Sequence, residues 1–241
     1  MNFWFVVPAA GVGTRFGGDR PKQYVPINGR PVITHTLERL LAIRGAGVLV
    51  ALHPDDDWWP SLAMAGDPRI ETVAGGEHRA ESVANALAAL ADRAGGDDWV
   101  LVHDVARPCV DPADISRLME VLANDPVGGI LGVPLADTAK RVAPSGIIEG
   151  TEDRTRLWAA QTPQMFRYGL LREALGRALA AGIVPTDESA ALERMGLSPK
   201  MIQGRADNLK LTRPEDVVVI GAILEAQADA AATGAPREQA L

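Results

Sequence analysis

Residues 3–24 read FWFVVPAAGVGTRFGGDRPKQY, a short apolar run that leads directly into a segment rich in glycine and basic residues. The apolar run is rich in aromatic and β-branched residues, which is typical of a strand. Glycines that follow a strand allow backbone N–H groups to approach an anion without obstruction by a Cβ atom. The stretch therefore predicts a first strand and a loop suited to a small anionic group.

The alternation of short apolar runs and amphipathic segments continues along the chain. We predict further strands and helices, in chain order, as a helix at 32–43, strands at 48–52 and 70–73, a helix at 81–93, a strand at 99–103, a helix at 112–122 and a strand at 129–133. This alternation predicts an α/β fold with a mostly parallel sheet. Ligands of such sheets bind beyond the carboxyl ends of the strands, so the loops after the strands are candidate sites.

Residues 134–158 do not follow this alternation of strands and helices. A Pro-Ser-Gly turn at 144–146 lies between two short runs of β type and predicts an exposed hairpin. The elements predicted beyond it are helices at 168–181 and 187–195, a strand at 200–203 and a last helix that begins at Pro214. We expect a single domain over residues 1–228, with an arm at about 136–158 and a frayed alanine-rich tail at 229–241.

The composition narrows the class of protein. The chain has 241 residues, of which 47% are hydrophobic, and its 24 Lys+Arg and 31 Asp+Glu give a net charge of −7. This charge argues against nucleic acid or an anionic membrane as a partner, but not against a small anion held by a local cluster of cations. A single cysteine, Cys109, excludes an internal disulfide, and four scattered histidines do not favour a structural zinc site. No apolar stretch approaches the roughly 20 residues of a membrane span, so we expect a cytoplasmic protein.

The glycine-rich loop fits neither of two familiar phosphate-binding motifs. No Gly-Lys-Ser/Thr follows, and Phe16 stands where the G-x-G-x-x-G motif has its third glycine. What remains is Gly11-x-Gly13 followed by two cations, Arg15 and Lys22. Arginine can donate to two phosphate oxygens at once, and lysine adds a compact charge. A flexible turn with solvated cations is the alternative, but two cations behind the glycines favour phosphate.

Several motifs resemble those of a known family. The motif Pro-Ala-Ala-Gly-x-Gly-Thr-Arg that begins at Pro8 resembles the nucleotide loop of nucleotidyltransferases that activate sugar or alditol phosphates. The Pro-Lys-Gln-Tyr motif that begins at Pro21 is similar to that of the 2-C-methyl-D-erythritol 4-phosphate cytidylyltransferase family of the non-mevalonate isoprenoid pathway. The further segments that match in order are Gly75-Gly76-x-x-Arg79-x-x-Ser82-Val83, Val102–Pro108, Asp137-Thr138-x-Lys140, Arg154 before Leu157-Trp158, Thr162-Pro-Gln164 and Gly204–Lys210. The resemblance covers roughly residues 5–225.

The resemblance implies a Rossmann-like sheet of the nucleotide-diphospho-sugar transferase type, together with roles for particular residues. Binding of the nucleotide is implied for Pro8, Ala9, Ala10, Gly11, Gly13, Thr14, Arg15, Lys22, Gly76, Glu77, Arg79, Ser82 and Asp104. Binding of the second substrate is implied for Asp104, Arg107, Thr138, Arg154, Thr162 and Lys210. Catalytic roles are implied for Arg15, Lys22, Arg154 and Lys210. Glu77 departs from the family pattern, which more often has Asp there.

Some of these assignments have simpler alternatives. Asp104 follows a strand and is the expected ligand of Mg²⁺ or another divalent cation, since Mg²⁺ prefers one or two carboxylates together with phosphate oxygens. An ion pair with Arg107 is the alternative for Asp104, and a helix cap is the alternative for Ser82. In the resembling family the arm clasps a second subunit, and Thr138 and Arg154 contact the substrate across the homodimer interface. A charged surface hairpin is the alternative for the arm.

Three other polar residues are interpreted as structural. His103 lies beside a strand as an isolated imidazole, which indicates packing rather than catalysis. Asp187 and Glu188 stand where a helix begins, and acidic side chains there complement the helix dipole.

The reaction that the resemblance implies joins CTP and 2-C-methyl-D-erythritol 4-phosphate into a CDP-alditol and releases pyrophosphate. The nucleophile is an oxygen of a phosphate monoester, whose second pKa is about 6, so it is largely ionised at neutral pH. No residue has to remove a proton, which agrees with the lack of an obvious base and nucleophile pair in the sequence. The alternatives are a ribitol-5-phosphate cytidylyltransferase and a non-catalytic nucleotide-binding regulatory protein.

Overall fold

A computed structural model describes residues 2–11 and 20–233. The strands are β1 (Phe3–Ala9), β2 (Pro26–Ile27), β3 (Arg30–Pro31), β4 (Ala46–Leu52), β5 (Ile70–Ala74), β6 (Trp99–Val102), β7 (Gly128–Pro134), β8 (Lys140–Val142), β9 (Ile148–Thr151), β10 (Trp158–Arg167) and β11 (Lys200–Gln203). The helices are α1 (Val32–Leu41), α2 (Arg79–Ala89), α3 (Pro112–Leu122), α4 (Tyr168–Ala180), α5 (Glu188–Glu193) and α6 (Asp216–Thr233).

Seven of the strands form one sheet in the order β11-β7-β10-β6-β1-β4-β5. Every neighbouring pair is parallel except the two pairs that β10 makes with β6 and β7, which are antiparallel. The predicted α/β fold with a mostly parallel sheet is therefore confirmed. The sheet takes strands from both halves of the chain, which supports the prediction of one domain over 1–228, although that boundary remains a prediction.

The first strand is buried on both faces, because helices cover both sides of the sheet. Phe5 and Val7 join one apolar cluster with Leu37 of α1, while Val6 joins the opposite cluster with Leu87 of α2. Successive side chains of a strand point to opposite faces, so a strand covered on both faces needs an unbroken apolar run. This requirement explains why the stretch at the start of the chain is apolar at consecutive positions.

Strand β10 was not predicted from the sequence, although it lies in the middle of the sheet. Pro163 has no backbone N–H to donate to a neighbouring strand, so a proline normally argues against a central strand. The strand accommodates it with an irregularity: its register against β7 shifts between Ala160 and Gln164. The residues on either side of the shift pair regularly with β7.

The hairpin predicted between residues 136 and 158 is present. Strands β8 and β9 pair in antiparallel fashion and form a separate two-stranded sheet. Val142, Ile147 and Ile148 in this hairpin are half or more exposed. The arm thus presents apolar side chains on its surface.

The last helix differs from its prediction at both ends. It begins at Asp216 rather than Pro214. The Asp216 carboxylate accepts hydrogen bonds from the backbone N–H groups of Thr212 and Arg213 at 2.7 and 2.8 Å and so ties the preceding turn to the start of the helix. It continues to Thr233 rather than fraying after Ala228, in keeping with the high helix propensity of alanine. Residues 234–241 of the predicted tail lie outside the described residues. Within the ranges that the structure describes, no helix is long and apolar enough to cross a membrane.

Candidate active site

A pocket of about 180 Å³ opens beyond the carboxyl ends of β1, β5 and β6, where the sequence predicted a ligand. The predicted site residues among those that line it are Pro8, Ala9, Ala10, Gly11, Lys22, Gly76, Glu77, Arg79, Ser82, Asp104 and Lys210. The lining also includes residues to which the sequence analysis gave no role, namely Gln23, His78, Val105 and Ala106. The predicted residues Gly13, Thr14 and Arg15 lie outside the described residues, so their roles remain predictions.

The chain around Lys22 is anchored by its two following residues. Gln23 is buried and donates from Nε2 to the carbonyl oxygen of Ala9 at 2.8 Å. Tyr24 is buried as well, and its hydroxyl donates to the carboxylate of Asp56, with oxygen–oxygen distances of 2.8 and 2.9 Å. Burial and the Asp56 carboxylate raise the pKa of Tyr24 far above its usual value, so the hydroxyl remains a donor. These bonds fix the short turn that carries Lys22 at the pocket wall.

An aromatic contact supports the same turn from outside. The ring of Tyr24 stacks on that of Trp58 at a centroid distance of 5.9 Å. The guanidinium of Arg20 lies 4.9 Å from the centroid of the Trp58 ring, within the range of a cation–π interaction. This contact could not be predicted from the sequence, since nothing in the segment at 56–59 marks it as a neighbour of Arg20 and Tyr24.

The loop after β5 packs so closely that two of its residues must be glycine. A Cβ atom on Gly75 would lie 2.3 Å from the Cβ of Ala10, and one on Gly76 would lie 2.4 Å from the Cβ of Glu81. The hydroxyl oxygen of Ser82 accepts from the backbone N–H of Gly76 at 3.0 Å. The hydroxyl of Ser82 therefore stabilises the loop before α2, which agrees in part with its alternative interpretation as a helix cap. Ser82 also lines the pocket.

Asp104 is the centre of a cluster of charges at the pocket wall. Its Oδ1 accepts from Nε of Arg79 at 2.8 Å, and its Oδ2 accepts from Nζ of Lys210 at 2.6 Å. The guanidinium Nε of Arg107 lies 4.0 Å from the same Oδ2. Burial alone would raise the pKa of Asp104, but the charges of Arg79 and Lys210 outweigh it and hold the pKa well below its usual range. Asp104 is therefore a carboxylate at any physiological pH.

Arg79 connects this cluster to a second acid, Glu188, for which the sequence predicted only a place at the beginning of a helix. The two terminal nitrogens of Arg79 donate to Oε1 and Oε2 of Glu188 at 2.7 and 3.0 Å. Glu188 is completely buried. Its neighbour Asp187 does begin the helix as predicted, since Oδ1 accepts from the backbone N–H of Ala190 at 2.9 Å. The sequence shows only two adjacent acids, and their separate tasks depend on tertiary contacts.

Arg107 and Thr162, both predicted to bind substrate, lie next to the pocket residues rather than among the residues that line it. Arg107 donates to the carbonyl oxygens of Asn208 and Ala160 at 2.6 and 3.3 Å, and burial lowers its pKa. Thr162 is buried, and its hydroxyl oxygen accepts from the backbone N–H of Asp104 at 3.1 Å. Both therefore hold the loop that carries Asp104, and their contacts with substrate remain predictions.

His103 is packed beneath this loop, in agreement with its structural interpretation. Its Nδ1 lies 3.0 Å from the hydroxyl oxygen of Thr162, and its Nε2 lies 3.1 Å from the carbonyl oxygen of Arg107. Because the carbonyl can only accept, Nε2 carries the proton and Nδ1 accepts from the hydroxyl of Thr162. Burial lowers the pKa of His103 to about 4, so the ring is neutral.

We expect the unliganded protein to lose stability as the pH falls from 6.5 toward 4, because His103 takes up a proton only on unfolding in this range. A group whose folded pKa is about 4 and whose ordinary pKa is 6.5 makes the free energy of unfolding smaller by about 2 kcal/mol between pH 7 and pH 5. Urea denaturation at the two pH values, on wild type and His103→Gln, measures the difference. Equal pH dependence in the two proteins would contradict this assignment.

The structure separates two predicted residues from the pocket. Thr138 and Arg154 lie at the base of the arm, are exposed and do not line the pocket of their own chain. One terminal nitrogen of Arg154 donates to the carbonyl oxygen of Leu135 at 3.3 Å. Their predicted contacts with the substrate of a neighbouring subunit remain predictions.

The described residues of this site offer few protein ligands for a metal ion. Among residues 2–11 and 20–233, no group of three or more His, Cys, Asp and Glu side chains is arranged to hold a metal. Asp104, for which a metal role was predicted, lines the pocket, and both of its carboxylate oxygens accept hydrogen bonds from cationic side chains. This donor set suits a cation whose remaining ligands are phosphate oxygens or water.

The fold and the pocket define a nucleotide-binding α/β protein, and the cations around one carboxylate fit the nucleotidyltransferase class of enzymes. A family model described as 2-C-methyl-D-erythritol 4-phosphate cytidylyltransferase matches residues 3–226, and the chain belongs to this family. Two similar proteins carry the same name. One, from Ectopseudomonas mendocina, is 54% identical over 218 residues, which are 90% of this chain and 93% of that protein. The other, from Hahella chejuensis, is 50% identical and covers 90% of each chain.

Solved structures show the same relationship. A crystal structure of a 4-diphosphocytidyl-2C-methyl-D-erythritol synthase superposes with a TM-score of 0.81 at 38% identity, covering 92% of this chain and 98% of the other. The 2-C-methyl-D-erythritol 4-phosphate cytidylyltransferase of Francisella tularensis has a TM-score of 0.79 at 34% identity, covering 92% and 100%. The chain is therefore a cytidylyltransferase enzyme, and these relatives favour the methylerythritol substrate over ribitol phosphate and over a non-catalytic role.

Proposed function

We propose that the pocket around Asp104 binds CTP and that CMP is transferred there to 2-C-methyl-D-erythritol 4-phosphate, with release of pyrophosphate. The observation that carries the proposal is the convergence of Lys22, Arg79 and Lys210 on one pocket beside a loop that glycine alone can fill. Two polyanions have to meet in this reaction, so the site must supply positive charge rather than a base. The phosphate of the acceptor is already ionised at neutral pH.

The positions of the cations indicate a different role for each of them in the reaction. Lys22 and Gly11 both line the pocket beside the carboxyl end of β1, where the phosphates of CTP would be held. Lys210 pairs with Asp104 in the structure and is suited to bind the incoming phosphate, since its flexible side chain can turn from the carboxylate to the phosphate. Arg15, which lies outside the described residues, keeps its predicted role in stabilising the transition state beside Lys22. Arg154 is proposed to orient the acceptor phosphate from a second subunit.

A divalent cation such as Mg²⁺ fits this site as a partner of CTP. Asp104 would supply one carboxylate, and the phosphates of the nucleotide would complete the coordination. The cation would neutralise part of the negative charge that develops on the phosphates during transfer. Arg79 would then keep the Asp104 carboxylate oriented and ionised, as its bond to Oδ1 does in the structure.

The arm is proposed to hold a second copy of the chain in a homodimer. Val142, Ile147 and Ile148 on the hairpin and Leu157 and Trp158 at its base are exposed apolar side chains on one segment. Several exposed apolar side chains on one segment favour an interface between proteins. A second subunit bound there would lie close to Thr138 and Arg154, and these exposed side chains could then complete the active site of that subunit.

The cytoplasmic location remains a prediction.

The nucleotide part of this proposal can be tested with purified protein. We expect pyrophosphate release in the presence of 2-C-methyl-D-erythritol 4-phosphate and Mg²⁺ to require CTP, with UTP and ATP at least tenfold less effective. The reason is that Gly76, Glu77 and Ser82 line one side of the pocket with polar groups that are suited to the edge of a cytosine base. Equal rates with all three nucleotides would contradict a cytidylyltransferase.

A further inference from the structure

Glu188 is a completely buried acid beside the candidate active site, and the proposed reaction gives it no task. A buried carboxylate is costly unless it is paired and hydrogen-bonded, so its presence calls for a specific partner. The beginning of α5 does not require it, because Asp187 already accepts the hydrogen bond from the backbone N–H of Ala190. The partner of Glu188 in the structure is Arg79.

The contact between the two side chains is bidentate. The terminal nitrogens of Arg79 lie 2.7 and 3.0 Å from the two carboxylate oxygens of Glu188. This end-on arrangement fixes the plane of the guanidinium as well as its position. The remaining Nε–H of Arg79 points to Oδ1 of Asp104 at 2.8 Å. Glu188 thus determines from which direction Arg79 reaches Asp104.

The two cations on Asp104 are held unequally. Arg79 bonds to two carboxylates and exposes 26% of its side chain, whereas Lys210 bonds to Asp104 and exposes 41%. A more exposed lysine with a single acidic partner reorients at a low cost, whereas a planar guanidinium held by two acids does not. Lys210 is therefore the cation that can leave Asp104 for a phosphate, and Arg79 is the one that stays.

We propose that Glu188 is a positioning residue for the transfer reaction: it holds Arg79 on Asp104 and so leaves Lys210 available to bind the acceptor phosphate. The inference rests on the proposed function. Without the carboxylate of Glu188, Arg79 is free to turn toward the pocket, and Lys210 becomes the main counterion of Asp104. The acceptor phosphate must then compete with Asp104 for Lys210, so binding of the acceptor suffers more than binding of CTP.

The variant Glu188→Gln tests this with little change in shape. We expect kcat/KM for 2-C-methyl-D-erythritol 4-phosphate to fall about tenfold, while KM for CTP changes less than about threefold. Glu193→Gln is the matched control, because Glu193 lies on the same helix and its carboxylate accepts from the hydroxyl of Ser189 instead. The control should retain the wild-type kinetics. A Glu188→Gln protein with kinetics within twofold of wild type would overturn the inference.

A double-mutant cycle separates positioning through Arg79 from a general effect on the fold. If Glu188 acts through Arg79, then Arg79→Gln and the double variant with Glu188→Gln have the same kcat/KM within about twofold. A further loss of more than about twofold in the double variant would overturn the inference, and this comparison of Arg79→Gln with the double variant does not depend on whether Glu188→Gln alone folds. Wild-type protein that releases no pyrophosphate would overturn the proposed function together with this inference.

Discussion

Lys22→Ala is expected to lower kcat for pyrophosphate release by about 10²–10³-fold, with a much smaller change in the Kd for CTP. Removal of one preorganised donor at a developing charge typically has an effect of this size. The turn that carries Lys22 is anchored by Gln23 and Tyr24, so loss of the lysine side chain leaves the backbone in place. The result would assign the charge of Lys22 to the transition state rather than to nucleotide binding.

Single-turnover rates with saturating CTP, combined with calorimetric titration of CTP, measure the two quantities separately. Lys200→Ala serves as a control, because Lys200 pairs with Asp125 on the edge strand β11 and does not line the pocket. Its kcat should equal that of wild type. Near-normal turnover in Lys22→Ala would rule out the catalytic role of this lysine.

Lys210→Ala is expected to reduce kcat/KM for 2-C-methyl-D-erythritol 4-phosphate by about 10–100-fold and to leave KM for CTP nearly unchanged. A hydrogen bond to a charged group contributes about 1.5–3 kcal/mol, which corresponds to this range of rates. Asp104 also loses its contact at 2.6 Å, but Arg79 still bonds to its other oxygen, so the carboxylate remains paired. The main loss should therefore concern the acceptor phosphate.

Steady-state rates with each substrate varied in turn distinguish the two effects of this variant. Lys210→Arg keeps the charge but changes the shape of the donor, and we expect it to recover only part of the activity. If Lys210→Ala raises KM for CTP and leaves the acceptor unaffected, the lysine belongs to the nucleotide site and the assignment is wrong.

Much of the fold could be predicted because it follows from local patterns. The consecutive apolar residues Phe5, Val6 and Val7 indicate a strand covered on both faces, and the structure places them in two opposite clusters. Strand β10 could not be predicted, since Pro163 lacks the N–H that a central strand normally requires. The register shift that accommodates this proline is a property of the whole sheet, and no short stretch of sequence contains it.

The candidate site could be predicted to a similar extent. Loops that follow parallel strands meet at one edge of the sheet, so Gly11, Gly76 and Asp104 line one pocket although they are far apart in the chain. The role of Glu188 could not be predicted, because its partner Arg79 lies more than 100 residues away. The net charge of −7 for the whole chain also does not reveal the anion-binding pocket, since a few cations around one pocket decide which anion can bind.

The most direct test of the central claim is the rate of pyrophosphate release from CTP with two acceptors offered separately. We predict that, with Mg²⁺ present, 2-C-methyl-D-erythritol 4-phosphate supports rapid release and D-ribitol 5-phosphate supports at least a hundredfold slower release at equal concentration. Mass spectrometry of the first reaction should show the CDP-alditol. Release with neither acceptor, or faster release with ribitol 5-phosphate, would contradict the assigned reaction.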